Sequence, residues 1–270
     1  MGELKFFDAY VVRARLFPAI IGAAPAFAAL TLLISWKTFG LSNLIASIGM
    51  LVLLWAIADF ARARGRAIES KLHAEQGGMP SITMFRRSDS TIDGGSKDRY
   101  RAFLAGKLGV TAPSAADEAA DQATADSFYD QCGNWLRQHT RDTKKFSILF
   151  GENVTYGFRR NLLGLKTLAL ALNVFVVAIC VMLLWHTSWN FGTPMGNKTV
   201  VVLVVAAAHA AYMLLAVCRN AVRDASNAYG RELILSCESF LAQASTPAKK
   251  PAAKKATTRT STAATPPRQP

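Results

Sequence analysis

The chain has 270 residues, with 31 Lys and Arg against 18 Asp and Glu, a formal net charge of +13. Hydrophobic residues make up 51% and charged residues 18%, against roughly 25% charged in a typical soluble domain, and the mean hydropathy is +0.20. These totals exclude a conventional soluble enzyme domain, a disordered chain and a disulfide scaffold, and leave a membrane protein with a polar part.

The predicted fold is an all-α membrane protein with four transmembrane helices in two hairpins and a mostly helical cytoplasmic domain between them. Residues 1–59 hold the first hairpin, with apolar runs over 17–35 and 41–59. Each is close to the ~20 residues that cross a bilayer core as a helix, where backbone groups must bond within their own segment. Pro18 and Pro25 predict kinks in the first run. Arg13 and Arg15 precede it, but a second apolar run follows at once, so it reads as an anchor rather than a cleaved signal peptide.

Residues 60–166 form the insert. A helix over 58–74 continues the second span until Gly77, Gly78 and Pro80 break it. Residues 81–95 read as loop or short strand. A helix over 96–108 follows, with Tyr100, Phe103, Leu104 and Leu108 on one face, then a turn at 109–113. Ser114 is a candidate N-cap ahead of Asp117, Glu118 and Asp121, acids favoured at a positive helix end. That helix is predicted to run to about His139, with Ala125, Phe128, Cys132, Trp135 and Leu136 as its apolar face. Residues 140–154 keep helical spacing through Phe146, Leu149 and Phe150, and lead into E-N-V-T-Y-G-F-R-R-N over 152–161.

The second hairpin spans 167–217, with apolar runs over 167–185 and 199–217. A cytoplasmic helix over 218–244 is predicted to continue the fourth span. Val222, Ala225, Tyr229, Leu233, Ser236 and Phe240 recur on it at helical spacing, and Gly230 weakens it by about 1 kcal/mol. The tail, 245–270, has six bases and no acid among Pro, Ala, Lys, Thr and Ser. It has no apolar face to bury and is predicted to be disordered. Lys249, Lys250, Lys254 and Lys255 suit anionic headgroups, at about 1 kcal/mol each, or nucleic acid, or simply keep the tail soluble.

Basic residues set the orientation. Lys5, Arg13, Arg15, Arg62, Arg64, Arg66, Lys71, Arg159, Arg160, Lys166, Arg219 and Arg223 flank the runs on one side, and Lys37 and Lys198 alone on the other. Both termini and the insert are therefore expected in the cytoplasm. Trp36, Trp185, Trp189 and Phe191 suit the outer aromatic belt.

Three sets of residues carry candidate chemistry. In the loop after Gly77, Thr83, Arg86, Arg87 and Asp89 offer the hydroxyl, guanidinium and amide groups that hold phosphate; the simpler alternative is a turn pinned by an Arg–Asp pair. Arg159, Arg160 and Asn161 sit where the chain enters the membrane, either as interfacial anchors or as phosphate ligands coupled to the third span. Asn173 and His209 lie inside apolar runs, where polar groups face a bundle interior or a wet cavity. They read either as a helix-to-helix hydrogen bond or as lining or gating a conduction path. Small residues such as Gly22, Ala23, Ala24, Ala206, Ala207 and Ala208 permit close helix approach, hence a homo-oligomer. Cys132, Cys180, Cys218 and Cys237 read as isolated reduced thiols. His73, His139, His186 and His209 form no metal pattern, and no catalytic motif is present, so neither enzyme activity nor a cofactor is expected.

Over 70–166 and 219–241 the chain shows E-x-x-L, G-G-x-P-[ST]-x-T, R-x-x-D, W-L-R-x-x-T-R-D, E-N-x-x-Y-G-F-R-R-N-x-x-G-L-K and R-D-A-x-x-A-Y in order. This resembles a group of bacterial four-span membrane proteins, with Ser81-Ile82-Thr83 standing where the group has Pro-Thr-Thr. The architecture also resembles the membrane effectors of nucleotidyltransferase-linked anti-phage systems such as Hailong. That resemblance implies an oligomeric channel in the bacterial inner membrane, gated by a nucleotide or short DNA ligand from a partner nucleotidyltransferase. The alternative is a non-conducting membrane scaffold that docks a cytoplasmic protein, lipid or nucleic-acid partner.

Overall fold

The structure is a computed structural model that describes residues 9–33 and 41–245, with backbone alone for 41–46 and 245. The expected basic tail and the outer connection at 36–40 lie outside the described residues. Every regular element within them is helical: α1 (Ala9–Val11), a π-helical stretch (Val12–Leu16), α2 (Phe17–Gly22), α3 (Ala24–Leu33), α4 (Leu41–Glu75), α5 (Pro80–Thr83), α6 (Gly94–Leu108), α7 (Ala115–Ala120), α8 (Gln122–His139), α9 (Ser147–His186), α10 (Pro194–Leu215), α11 (Arg219–Leu235) and α12 (Cys237–Ser245).

Two helices, α9 and α10, are long and apolar enough to cross a membrane, or three if the bent Ala9–Gly22 and Ala24–Leu33 pair is one span. This corrects the expected four. The first run is not one straight helix: it turns by 59° at Ala23, where φ is −96° and ψ is 1°. Pro25 follows, with no amide to continue the ladder. The second run opens α4, which continues without a break through Asp59, Arg62, Arg64 and Arg66 to Glu75. On α9 and α10 an apolar surface faces outward, including Val174, Phe175, Trp185, Val204, Leu214 and Leu215. Water penalises such a surface; hydrocarbon does not.

Helix α9 is the spine. It packs on α4 and α11 and on α2, α3 and α10. Where α9 crosses α4 the backbones touch: a Cβ on Gly164 would stand 2.7 Å from the Gly65 amide and 2.8 Å from the Ala61 carbonyl. Nearer the apolar end, Val176, Cys180 and Val202 close over Ala26, Ala29 and Leu32. The insert has its own core, in which Phe85, Tyr100, Leu104, Tyr129 and Leu136 meet Leu233, Ile234 and Cys237 from the C-terminal helices. Chain distant in sequence thus completes the insert.

Local chemistry explains four departures from the predicted elements. Residues 81–95 contain α5 and turns rather than a strand. The helix expected from Ser114 to His139 is two helices. Ser114 and Asp117 form the reciprocal cap of α7, but Asp121 is extended and accepts the Ala123 and Thr124 amides, starting α8 afresh. Residues 140–146 do not continue the helix, because Asp142 turns back to accept the Lys144 and Lys145 amides. Nor does α11 continue α10: Cys218 is extended between them, with φ −137° and ψ 166°. Gly230 on α11 serves a close approach. A Cβ there would stand 2.7 Å from the Pro80 Cβ, so glycine lets α5 lie against α11.

Candidate ligand-binding site

The run over 152–161 lies wholly within α9, and the helix sends its side chains in different directions. Residues four apart share a face, so Tyr156 and Arg160 point together into a cavity of about 390 Å³. Glu69 and His73 of α4 meet them there, with Ser81 of α5, Asn134 and Arg137 of α8, and Ser226, Tyr229 and Gly230 of α11. Asn153 of α9 and Tyr10 of α1 complete the wall. Five of these residues form one polar network. Tyr156 Oη donates to Glu69 Oε1, and Arg160 Nη1 donates to Glu69 Oε2 at 2.8 Å. His73 Nε2 lies 3.3 Å from Ser226 Oγ and 3.5 Å from Tyr156 Oη. The Tyr156 ring stacks on Tyr229, with centroids 6.1 Å apart and planes at 10°. The Arg160 guanidinium lies 5.5 Å from the same ring's centroid.

The network sets the protonation states. Burial, then the neighbouring Glu69 carboxylate, pushes the Tyr156 phenol up, so it stays a donor. Burial pushes the His73 imidazole down, against the upward pull of Glu69.

A second cavity of about 340 Å³ shares Tyr10, Arg137, Asn153 and Tyr229 with the first and adds Thr140, Arg141 and Phe150. Together they form a two-lobed cleft in which Arg137, Arg141 and Arg160 outnumber Glu69. Arg137 is half-buried; its Nη1 donates to Ser81 Oγ at 3.3 Å and its Nη2 to Asn134 Oδ1 at 2.8 Å. Guanidinium forks, asparagine amides and tyrosine faces are the groups that hold phosphate oxygens and flat heterocycles.

The expected site residues are only partly brought together here. Arg160 lines the cleft; Thr83, Arg86, Arg87 and Asp89 do not. Arg86 makes a fork on Asp126, at 2.9 and 2.7 Å, and reaches the Gly77 carbonyl at 2.6 Å. Arg87 is held by Asp98 at 3.0 Å and the Pro113 carbonyl at 3.1 Å. Asp89 turns onto Thr91. Beneath them the buried Lys97 donates to the Arg86 and Asp89 carbonyls at 2.7 and 2.5 Å, and Thr83 packs its methyl near Gly78. This is the pinned turn that the sequence left open, with Asp126 as the arginine's partner.

Arg159 and Asn161 leave α9 elsewhere. Asn161 is buried and donates to the Ala14 carbonyl at 2.7 Å, tying α9 to the π-helical stretch. Arg159 is exposed and donates to the Ala221 carbonyl at 3.2 Å. Asn173 and His209 are buried against each other: Asn173 Nδ2 lies 2.8 Å from His209 Nδ1 and donates to the Ala206 carbonyl at 2.8 Å. The geometry is that of a bond between α9 and α10.

Sequence reasoning missed Glu69, His73, Asn134, Arg137, Arg141, Asn153, Tyr156, Ser226 and Tyr229. Glu69–His73, Arg137–Arg141 and Tyr156–Arg160 all stand four apart, the spacing that places two side chains on one helix face. Among the described residues no group of three or more His, Cys, Asp or Glu is placed to hold a metal ion, and Cys132, Cys180, Cys218 and Cys237 are all free. Comparison of the chain with family models, with curated proteins and with solved structures finds no match.

Proposed function

We propose that the chain is a membrane receptor that takes a nucleotide or short oligonucleotide in the cleft and passes its occupancy to the membrane helices, as a homo-oligomeric channel or pore effector. One observation supports it above the rest: Tyr156 and Arg160, which line the cleft, stand on the same unbroken helix that runs on through the apolar stretch to His186. A ligand phosphate competes with Glu69 for Arg160. The helix turn that responds also carries Asn161, bonded to Ala14, and leads to the contact of Gly164 with Gly65. Ligand moves such an equilibrium only by binding one arrangement more tightly than the other. In this reading both termini and the insert are cytoplasmic, and the membrane is the bacterial inner membrane. The resemblance to anti-phage membrane effectors supports a partner nucleotidyltransferase as the ligand's source.

Binding tests the cleft directly. Fluorescently labelled short DNA oligomers and cyclic nucleotides are titrated onto the purified full chain, with Arg137→Ala plus Arg141→Ala as the comparison. Loss of two charge-assisted contacts weakens binding by about tenfold or more; unchanged affinity contradicts the site.

A second reading, the non-conducting scaffold, is favoured by the closed Asn173–His209 pair, which leaves neither side chain lining a path within one chain. It predicts that Asn173→Leu plus His209→Leu leaves the output intact, whereas a path through these residues would lose it.

A further inference from the structure

At the bend between α10 and α11 lies a separate cavity of about 270 Å³. Its walls are apolar on one side, from Phe158, Leu162 and Tyr212, and its charge comes from Arg159. Three facts define its chemistry. First, Tyr212 reaches it from the apolar length of α10, and Arg159 and Leu162 from the polar end of α9 just ahead of its apolar run, so it lies at the level at which both helices leave their apolar stretch. Secondly, its rim is continuous with outward-facing apolar surface, since Tyr212, Leu214 and Leu215 are all exposed. Thirdly, among the described residues Arg159 has no carboxylate partner, and it donates to the Ala221 carbonyl at 3.2 Å. Arg160, one residue on, is neutralised by Glu69. Lys166 donates to the Val217 carbonyl at 2.8 Å and is not among the residues that line the cavity.

An uncompensated guanidinium beside an apolar slot, at the depth where a membrane helix meets water, suits an ester-linked phosphate whose acyl chains lie along α10. We propose that this cavity is a binding site for the headgroup of an anionic phospholipid, held by Arg159 and roofed by the start of α11. It rests on α9 and α10 crossing a membrane, and not on the nucleotide reading of the cleft. Because the same cavity touches α9, α10 and α11, an occupant here holds the polar helices at a fixed angle to the apolar ones.

The test uses the purified full chain in detergent and dioctanoyl phosphatidylglycerol as probe, with dioctanoyl phosphatidylcholine and inorganic phosphate as the comparison ligands. Bound lipid is counted by native mass spectrometry. The site predicts a preference of about tenfold or more for the anionic lipid, from one charge-assisted contact. Arg159→Gln removes the preference. Ala216→Phe, which fills the cavity mouth and keeps the arginine, weakens binding of the anionic lipid as well. Arg66→Gln, the same charge removed from an exposed position on α4, leaves the preference unchanged. Far-UV circular dichroism of each variant matching the parent establishes the fold. A preference that survives both Arg159→Gln and Ala216→Phe overturns the site. So does an equal loss in Arg66→Gln, the mark of diffuse charge attraction. Binding of inorganic phosphate as tight as that of the anionic lipid overturns the lipid assignment.

Discussion

His73 shows how a single side chain reports the state of the cleft. Burial holds its imidazole below the ordinary value of 6.5, with Glu69 pulling upward and Arg160 downward. The unfolded chain therefore takes up a proton that the folded chain refuses. Stability rises with pH through this range and falls as pH drops below about 6.5. The expected outcome is a melting temperature in detergent that declines between about pH 7.5 and 5.5, with a shallower decline in His73→Gln. An identical decline in the variant places the titration elsewhere. Asn173 and His209 give a second prediction. Either substitution to leucine alone strands a buried polar partner and destabilises by about 0.5–2 kcal/mol, whereas the double change restores most of that loss. Thermal unfolding of the four proteins in the cycle measures the coupling, and additive losses contradict a bonded pair.

Caps and crossings decide where helices begin, end and touch. Asp121 separates α7 from α8 by accepting two amides and the Thr124 hydroxyl. Asp121→Ala is expected to cost about 1 kcal/mol, read as a lower melting temperature, and Asp121→Asn to restore most of it. The cap at Ser114 was legible because serine three residues before an acid is a distinctive pattern. Asp121 was not, because in a run with Asp117 and Glu118 a capping carboxylate looks like one more acid favoured by the helix end. Gly230 read as a weakness in its helix, since propensity is local and the approach of Pro80 is not. Gly164 shows the same limit. The Gly164→Leu side chain has no room between Gly65 and Ala61, so the crossing of α9 and α4 must open, at a cost of about 1–3 kcal/mol.

Taken as a whole, the molecule joins a polar helical insert to apolar helices through one shared element. The helical class was legible from hydropathy and spacing, because the 3.6-residue period and long apolar runs are properties of the chain itself. Continuity was harder to read. Spacing alone did not show that α9 carries the Y-G-F-R-R-N run and the third apolar run as one helix, or that Cys218 interrupts α10 and α11; the bend of the first run, by contrast, was announced by its prolines and falls two residues before Pro25. The cleft was illegible for a related reason. Its lining comes from α1, α4, α5, α8, α9 and α11, and only tertiary packing sets Glu69 against Tyr156 or Arg137 beside Ser81. Arg86 and Arg87 offered a plausible phosphate motif in sequence, yet Asp126, Asp98 and Glu118 absorb them.

The central claim is that occupancy of this cleft alters the membrane helices. Ion flux through the purified chain in liposomes, with and without short DNA oligomers and cyclic nucleotides, measures it most directly. The expected result is a flux that ligand changes in the parent protein and leaves unchanged in Arg137→Ala plus Arg141→Ala. Folded, inserted protein with no flux under any of these conditions, or an equal ligand response in the variant, contradicts it.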